Sequence, residues 1–296
     1  MNRNLFLPAI LAAGLVTVSL AAPAARAAPK PSSTTTPASM VRSTAIPTPP
    51  PASPAGSAPS WTIQAVTAPA SAGPLLAEAQ QVYQTMKRTK YSHQYVINPK
   101  TGTYFWDCVG FTNWALKQAT PNAYQAFHTA MNVSDKASGH VALWAQFLTG
   151  NPGPAWSAVN SVTSLTGGEL MIIPGEIVLN GQIQYGSTSN GKSYVGHAVI
   201  IAGPPLKLSD GSYAVATYDA TALPGHGQYD SRYTDARALP LTASQPTKFS
   251  GTGFGNMRLT VNASGAPTAI YWSANATKPI MFDNQPVVPV LARPLN

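Results

Sequence analysis

Polar and apolar positions take on regular order only after residue 73. Between Leu75 and Met86 the residues Leu75, Leu76, Ala79, Val82, Tyr83 and Met86 recur at the spacing of one helix face. Pro74 suits the first helical position, where its missing N–H costs nothing. A turn-rich stretch, Asn98-Pro99-Lys100-Thr101-Gly102, follows. Next, Asp107 is a good N-cap for a helix whose apolar face is Phe111, Trp114, Ala115 and Leu116, and Pro121 is expected to end that helix. Val141 to Phe147 carries a second helical patch. Past about residue 165 the period becomes that of strands. Leu170 to Val178 is apolar and interrupted by Pro174-Gly175. His197 to Ala202 suits a strand buried on both faces, and Tyr213 to Tyr218 alternates. Asn256 to Val261 and Thr268 to Trp272 are expected to form a hairpin turning at Asn262 to Pro267. Helices first and an antiparallel sheet second predict an α+β domain over residues 74–296.

The residues before it have a different character. Arg3 supplies a positive start, Leu5 to Ala22 is uncharged and apolar, and Ala25-Arg26-Ala27 has the small-x-small form of a cleavage site. Residues 1–27 are therefore expected to be a signal peptide, and the mature protein to be periplasmic or secreted. The apolar run is about long enough to span a bilayer, so an uncleaved anchor is the alternative. Pro8 and the small-residue tail favour cleavage, and no second stretch is long and apolar enough to give a stable span. Residues 28–73 are rich in Pro, Ser, Thr and Ala and are expected to form a disordered linker. Within it, Trp61 to Val66 has the pattern of a short strand or docking segment.

Hydrophobic residues are 44% of the 296, enough for a sizeable core, while charged residues are only 9%. The net charge of +8 is scattered apart from Lys87, Arg88 and Lys90, with no basic stripe interleaved with aromatics. A nucleic-acid partner is therefore not expected. No His, Cys or carboxylate pair has metal-ligand spacing, and no metal or cofactor is expected. Gly251-x-Gly253-x-Gly255 precedes a strand rather than a helix, which argues against a phosphate loop and for a glycine-rich β turn.

The chain has one cysteine, Cys108. It cannot form an internal disulfide, so it is an intermolecular bridge, a buried small hydrophobe or a reactive thiol. A thiol is a nucleophile as thiolate, the form favoured at a helix N-terminus and beside a His cation. Cys108 stands at such a helix start, with Gly110 leaving the first turn uncrowded. Free N–H groups there also suit an oxyanion. Of the five histidines, His197 is the candidate base, because a small residue precedes it and a buried strand follows. If the strands after His197 and before Asp219 form a hairpin centred on Leu208, Asp219 stands directly opposite His197 and can orient its ring. His226, in Leu223-Pro224-Gly225-His226-Gly227, is the rival third member or else rims the cleft. Tyr91, His93 and Asp107 are candidates to line that cleft, and His128 and His140 lack a matching context.

Asp107-Cys108-Val109-Gly110-Phe111 and Gly196-His197-Ala198-Val199-Ile200 resemble the two motifs of the NlpC/P60 superfamily of bacterial cell-wall cysteine peptidases, over about residues 75–275. The resemblance implies a papain-like fold with N-terminal helices on an antiparallel sheet. It implies an exported enzyme without cofactors that cleaves peptide-stem amides of peptidoglycan, with Cys108 as nucleophile and His197 as base. Val109 replaces the family's usual Ser, which with the Asp helps bind the substrate's amino end in some members. The family's Tyr followed by paired glycines has only Tyr91 as an approximate match, and its third member usually follows the His more closely than Asp219 does. An envelope amidase or acyltransferase of the same fold, and a non-catalytic envelope-binding module, are the competing readings.

Overall fold

The computed structural model describes residues 73–133, 141–179, 182–187, 193–194, 196–222, 225–226, 230–246 and 248–295. All fall within one of the two units into which the chain divides, Ser60–Asn296. The residues read as a signal peptide and linker, up to residue 72 and including the Trp61 to Val66 segment, and His140 lie outside the described residues.

Helix α1 (Pro74–Thr85) forms where the apolar spacing predicts it, with Pro74 in its first turn and Leu75, Leu76, Ala79 and Val82 buried. It leads into three short strands, β1 (Arg88–Tyr91), β2 (Val96–Asn98) and β3 (Thr103–Trp106), which form their own sheet in the order β1-β3-β2. The turn-rich stretch predicted at Asn98 to Gly102 joins β2 to β3. Helix α2 (Cys108–Ala119) follows, then α3 (Pro121–Met131) and α4 (Val141–Thr149). Pro121 does end α2, but it also sits in the first turn of α3, a helix that the apolar pattern alone did not suggest. A proline at that point stops one helix and is preorganised to start another.

The second half supplies β4 (Trp156–Ala158), β5 (Leu170–Ile173), β6 (Glu176–Leu179), β7 (Gln182–Ser187), β8 (Ser193–Tyr194), β9 (His197–Ile201), β10 (Leu206–Lys207) and β11 (Tyr213–Thr221). Next come β12 (Leu239–Pro240), β13 (Phe249–Val261), β14 (Pro267–Tyr271), β15 (Met281–Phe282), β16 (Gln285–Pro286) and β17 (Val290–Pro294). The main sheet runs β12-β13-β11-β9-β5-β17-β4, with β10 on β11 and β14 on β13, and each pairing is antiparallel. The architecture is α+β. The C-terminal strand β17 lies inside this sheet, between β5 and β4.

Both faces of the sheet are covered. Leu170, Ile172, Ala198, Ile200, Tyr218, Ala220 and Phe254 pack with α1, α2, α3 and α4 in one cluster. The alternate residues Met171, Ile173, Val199, Ile201, Val215, Met257 and Leu259 pack in a second cluster with Leu165 and Ile270. Period-2 alternation places successive side chains on opposite faces, so two covered faces produce the unbroken apolar run of β9. No helix among the described residues is long and apolar enough to cross a membrane.

Trp144 of α4 anchors the helical layer. It is fully buried, stacks on Phe127 at 3.7 Å and donates its indole N–H to Asn113 at 3.2 Å. Trp144→Ala is expected to cost about 3–5 kcal/mol by leaving a large cavity. Urea unfolding checks this, and a loss below about 1 kcal/mol would mean that α4 is not held by this contact.

Candidate functional site

Asp107 caps α2 from an extended conformation, its Oδ1 accepting the Gly110 N–H at 2.7 Å. Cys108 is thus the first residue of the helix, and it is 7% exposed. The cap engages the N–H of Gly110, which leaves those of Cys108 and Val109 as the helix-start donors near the sulfur. Asp107 also accepts the Tyr95 hydroxyl at 2.8 Å on Oδ1, and its Oδ2 is 2.9 Å from His93 Nδ1. Gly110 explains how Tyr95 gets there: a Cβ at that position would lie 2.7 Å from the Tyr95 ring. Burial, with added repulsion from Cys108 and Asp107, pushes the Tyr91 phenol up. Burial and then the charge of Asp107 do the same for Tyr95. Both phenols keep their protons and can only donate toward negative charge. Tyr91 and Asp107 thus lie close to Cys108, and His93 touches the site through Asp107. Beside them a hollow of about 190 Å³ is lined by Tyr95, Gly110, Asn113, Trp114 and Tyr124, among others.

His197 is the first residue of β9. Gly196 before it has φ +80, and a Cβ there would lie 2.7 Å from the Ile173 carbonyl oxygen, so glycine alone makes this entry into the strand. The imidazole Nε2 is 2.6 Å from Asp219 Oδ2, and both side chains are buried. The ring also interacts with Cys108, while Nε2 is the nitrogen committed to Asp219. Burial works against the charged ring. It is outweighed by the interaction with Cys108 and by the bond to Asp219, so that the His197 pKa is lifted to about 10. Trp272 stands edge-on to the His197 ring at 5.4 Å.

The hairpin register differs from the expected one. Ile201 lies opposite Thr217 and Ile200 opposite Tyr218, whereas a turn centred on Leu208 would oppose Ile201 to Val215. The tip, where Lys207 pairs with Tyr213, is centred on Asp210, and the chain around Pro204-Pro205 takes up the difference. The slip is by two residues. A two-residue slip keeps every side chain on its own face, so Asp219 meets His197 from a diagonal position instead of a directly opposed one.

His226 is not at a cleft rim. It is 1% exposed, with Nδ1 donating to the Trp272 carbonyl at 3.2 Å and Nε2 3.3 Å from Asp219 Oδ2. The Nε2 contact lacks hydrogen-bond alignment. His226 thus stands behind Asp219, on the carboxylate that His197 uses. Gly251, Gly253 and Gly255 also correct the expectation of a turn: they lie inside β13, opposite Thr221, Asp219 and Thr217. A Cβ on Gly255 would lie 2.3 Å from the His226 ring, and one on Gly253 would lie 2.6 Å from the Arg232 guanidinium.

Arg232 and Tyr95 did not emerge from sequence reasoning. Arg232 is fully buried in a short 3-10 turn, Ser231–Tyr233. Its Nη1 donates to Asp219 Oδ1 at 2.8 Å and its Nη2 to Asp230 Oδ2 at 2.7 Å. The one available signal was the row of alternate glycines, which marks close approach by something bulky. Burial disfavours the Asp219 anion, but Arg232, His226 and the bond from His197 outweigh it and hold the carboxyl well below the usual carboxylate range. The arrangement can supply a sulfur nucleophile, a protonated imidazole beside it, an anion orienting that ring, and neutral donors around the helix start. No family model, no curated protein and no solved structure matches this chain.

Proposed function

We propose that the protein is an exported, papain-like cysteine hydrolase of the NlpC/P60 type that cleaves amide bonds of peptidoglycan stem peptides. The observation that carries this reading is the His197 ring, held by Asp219 at 2.6 Å and electrostatically coupled to Cys108 at the first turn of α2. That is the arrangement by which a base activates a nucleophile while a third group fixes the base.

In the proposed reaction the Cys108 thiolate attacks the amide carbonyl carbon, forming a C–S bond and moving an electron pair onto oxygen. The N–H groups of Cys108 and Val109 are placed to stabilise that oxyanion. Collapse breaks the C–N bond, and His197 gives its proton to the departing amine, leaving a thioester. Neutral His197 then takes a proton from water as the water attacks the thioester. The C–S bond breaks, releasing the carboxylic acid and restoring the thiolate and imidazolium. The peptidoglycan substrate rests on the signal-like N-terminus and the two motifs. The Asp107 carboxylate beside the thiol suits a substrate amine.

Mass spectrometry of peptidoglycan incubated with the mature protein in H₂¹⁸O tests this. The expected products carry a new amine end and a new carboxylate that has taken up the heavy oxygen. Products joined to another amine without heavy oxygen would instead establish acyl transfer, and unchanged peptidoglycan with a reactive thiol would remove the substrate assignment. His197 must be protonated to expel the amine, and it is protonated below its pKa of about 10. Activity is therefore expected to hold through neutral pH and to fall as pH rises through about 10.

A further inference from the structure

We propose that Arg232 is a positioning residue for the catalytic group, holding Asp219 in place through a guanidinium seated on the side-chain-free face of Gly253. The proposal rests on the reading of Cys108, His197 and Asp219 as a triad, and it adds a fourth and fifth part to it. Asp219 uses both oxygens: Oδ2 faces His197 Nε2 at 2.6 Å, while Oδ1 accepts from Arg232 Nη1 at 2.8 Å. Arg232 cannot swing away. Its Nη1 also reaches the carbonyl oxygens of Gly251 at 3.0 Å and Asp219 at 3.3 Å, and its Nη2 is held by Asp230. Asp230 also accepts the N–H of Arg232 on Oδ1 at 3.0 Å, so it locks both ends of that residue.

The sheet is built to admit this group. Gly253 lies directly opposite Asp219 in the β11–β13 register, and any side chain there would fill the guanidinium's place. Directly opposed residues share a face, so the missing Cβ opens space where the carboxylate points. Gly255 does the same for His226, whose Nε2 approaches Asp219 from the neighbouring position. Among the described residues, the charged or titratable groups around the Asp219 carboxylate are thus His197 from β9, His226, and Arg232, with Asp230 behind Arg232. A carboxylate with free rotation would share its hydrogen bond among orientations. Here Oδ1 is tied to Arg232, and Oδ2, with His226 3.3 Å behind it, aims the imidazole.

The test uses the full mature protein and three variants. Arg232→Lys keeps a charge but loses the fork, Gly253→Ala keeps every charge but displaces the guanidinium, and Arg232→Met paired with Asp230→Asn guards against an unfolded single variant. Each is read by the pH profile of hydrolysis and by the downfield proton NMR signal of the His197 imidazole, with circular dichroism verifying the fold. Folded Gly253→Ala and Arg232→Met/Asp230→Asn are expected to lose on the order of 10- to 100-fold in kcat. They should show a weakened or shifted imidazole signal and an acid limb moved to higher pH, because Asp219 then takes a proton more readily. Arg232→Lys should retain the wild-type acid limb while losing part of kcat. If the folded variants keep wild-type kcat, pH profile and imidazole signal, Arg232 is structural only and the proposal fails. If wild type itself has no downfield imidazole signal and its thiol is alkylated no differently after His197→Ala, the triad reading fails first.

Discussion

Replacing Cys108 by alanine is expected to abolish amide hydrolysis, by on the order of 10⁴-fold or more, because no second thiol exists in the chain to substitute for it. His197→Ala is expected to be as damaging, and it has a readout that needs no substrate. His197 keeps its proton up to about pH 10, so a cation stands beside the sulfur at pH 6. Removing it should slow alkylation by iodoacetamide at pH 6 by about 10-fold or more, because the thiolate loses its neighbouring charge. Identical rates at pH 6 would mean that Cys108 is an ordinary buried thiol, and a non-catalytic envelope-binding module would then replace the hydrolase.

Asp219→Ala should lower kcat by on the order of 10²- to 10⁴-fold, since the third member orients the imidazole and makes no bond to substrate. It should also destabilise the fold. Arg232 and His226 are both buried against that carboxylate, and deleting one partner of a buried pair leaves the other uncompensated, a cost of about 3–5 kcal/mol. The Asp219 carboxyl is held well below the ordinary carboxylate range in the folded state. Its ionised form therefore contributes in full above about pH 4, and the contribution is lost only as pH falls through the depressed value. Urea unfolding at pH 7 and again in acid should show the gap between wild type and Asp219→Ala narrowing in acid. His226→Ala removes one 3.3 Å contact to Asp219 and the bond to the Trp272 carbonyl, and should cost less activity than Asp219→Ala. The reverse order would make His226 the residue that sets the imidazole.

Much of the local order was legible. Pro74 with its apolar spacing marked α1, Asp107 marked the start of α2, and the run after His197 marked a strand covered on both faces. These follow from rules acting within a few residues: capping, period and proline geometry. Among the strands that those rules did not suggest are β1 to β3, whose four-residue and shorter segments carry too few positions to set a period, and β17 near the chain end. The β9–β11 hairpin lies between these cases. Its existence was readable, but its register was off by two residues because the chain at Pro204-Pro205 departs from regular pairing.

The sequence by itself determined that one thiol begins a helix and that one histidine opens a buried strand, because helix caps and strand periods are written in adjacent residues. It also made Asp219 available to His197, since an even slip in register leaves both on one face. Only the tertiary structure decided what surrounds that carboxylate. Arg232 and His226 reach it across a strand of alternate glycines, from positions 13 and 7 residues further along the chain. Nothing local to Gly253 says which side chain will occupy the space its missing Cβ leaves. That is settled when β13 pairs with β11 and the turn at Ser231–Tyr233 presses a guanidinium into the gap.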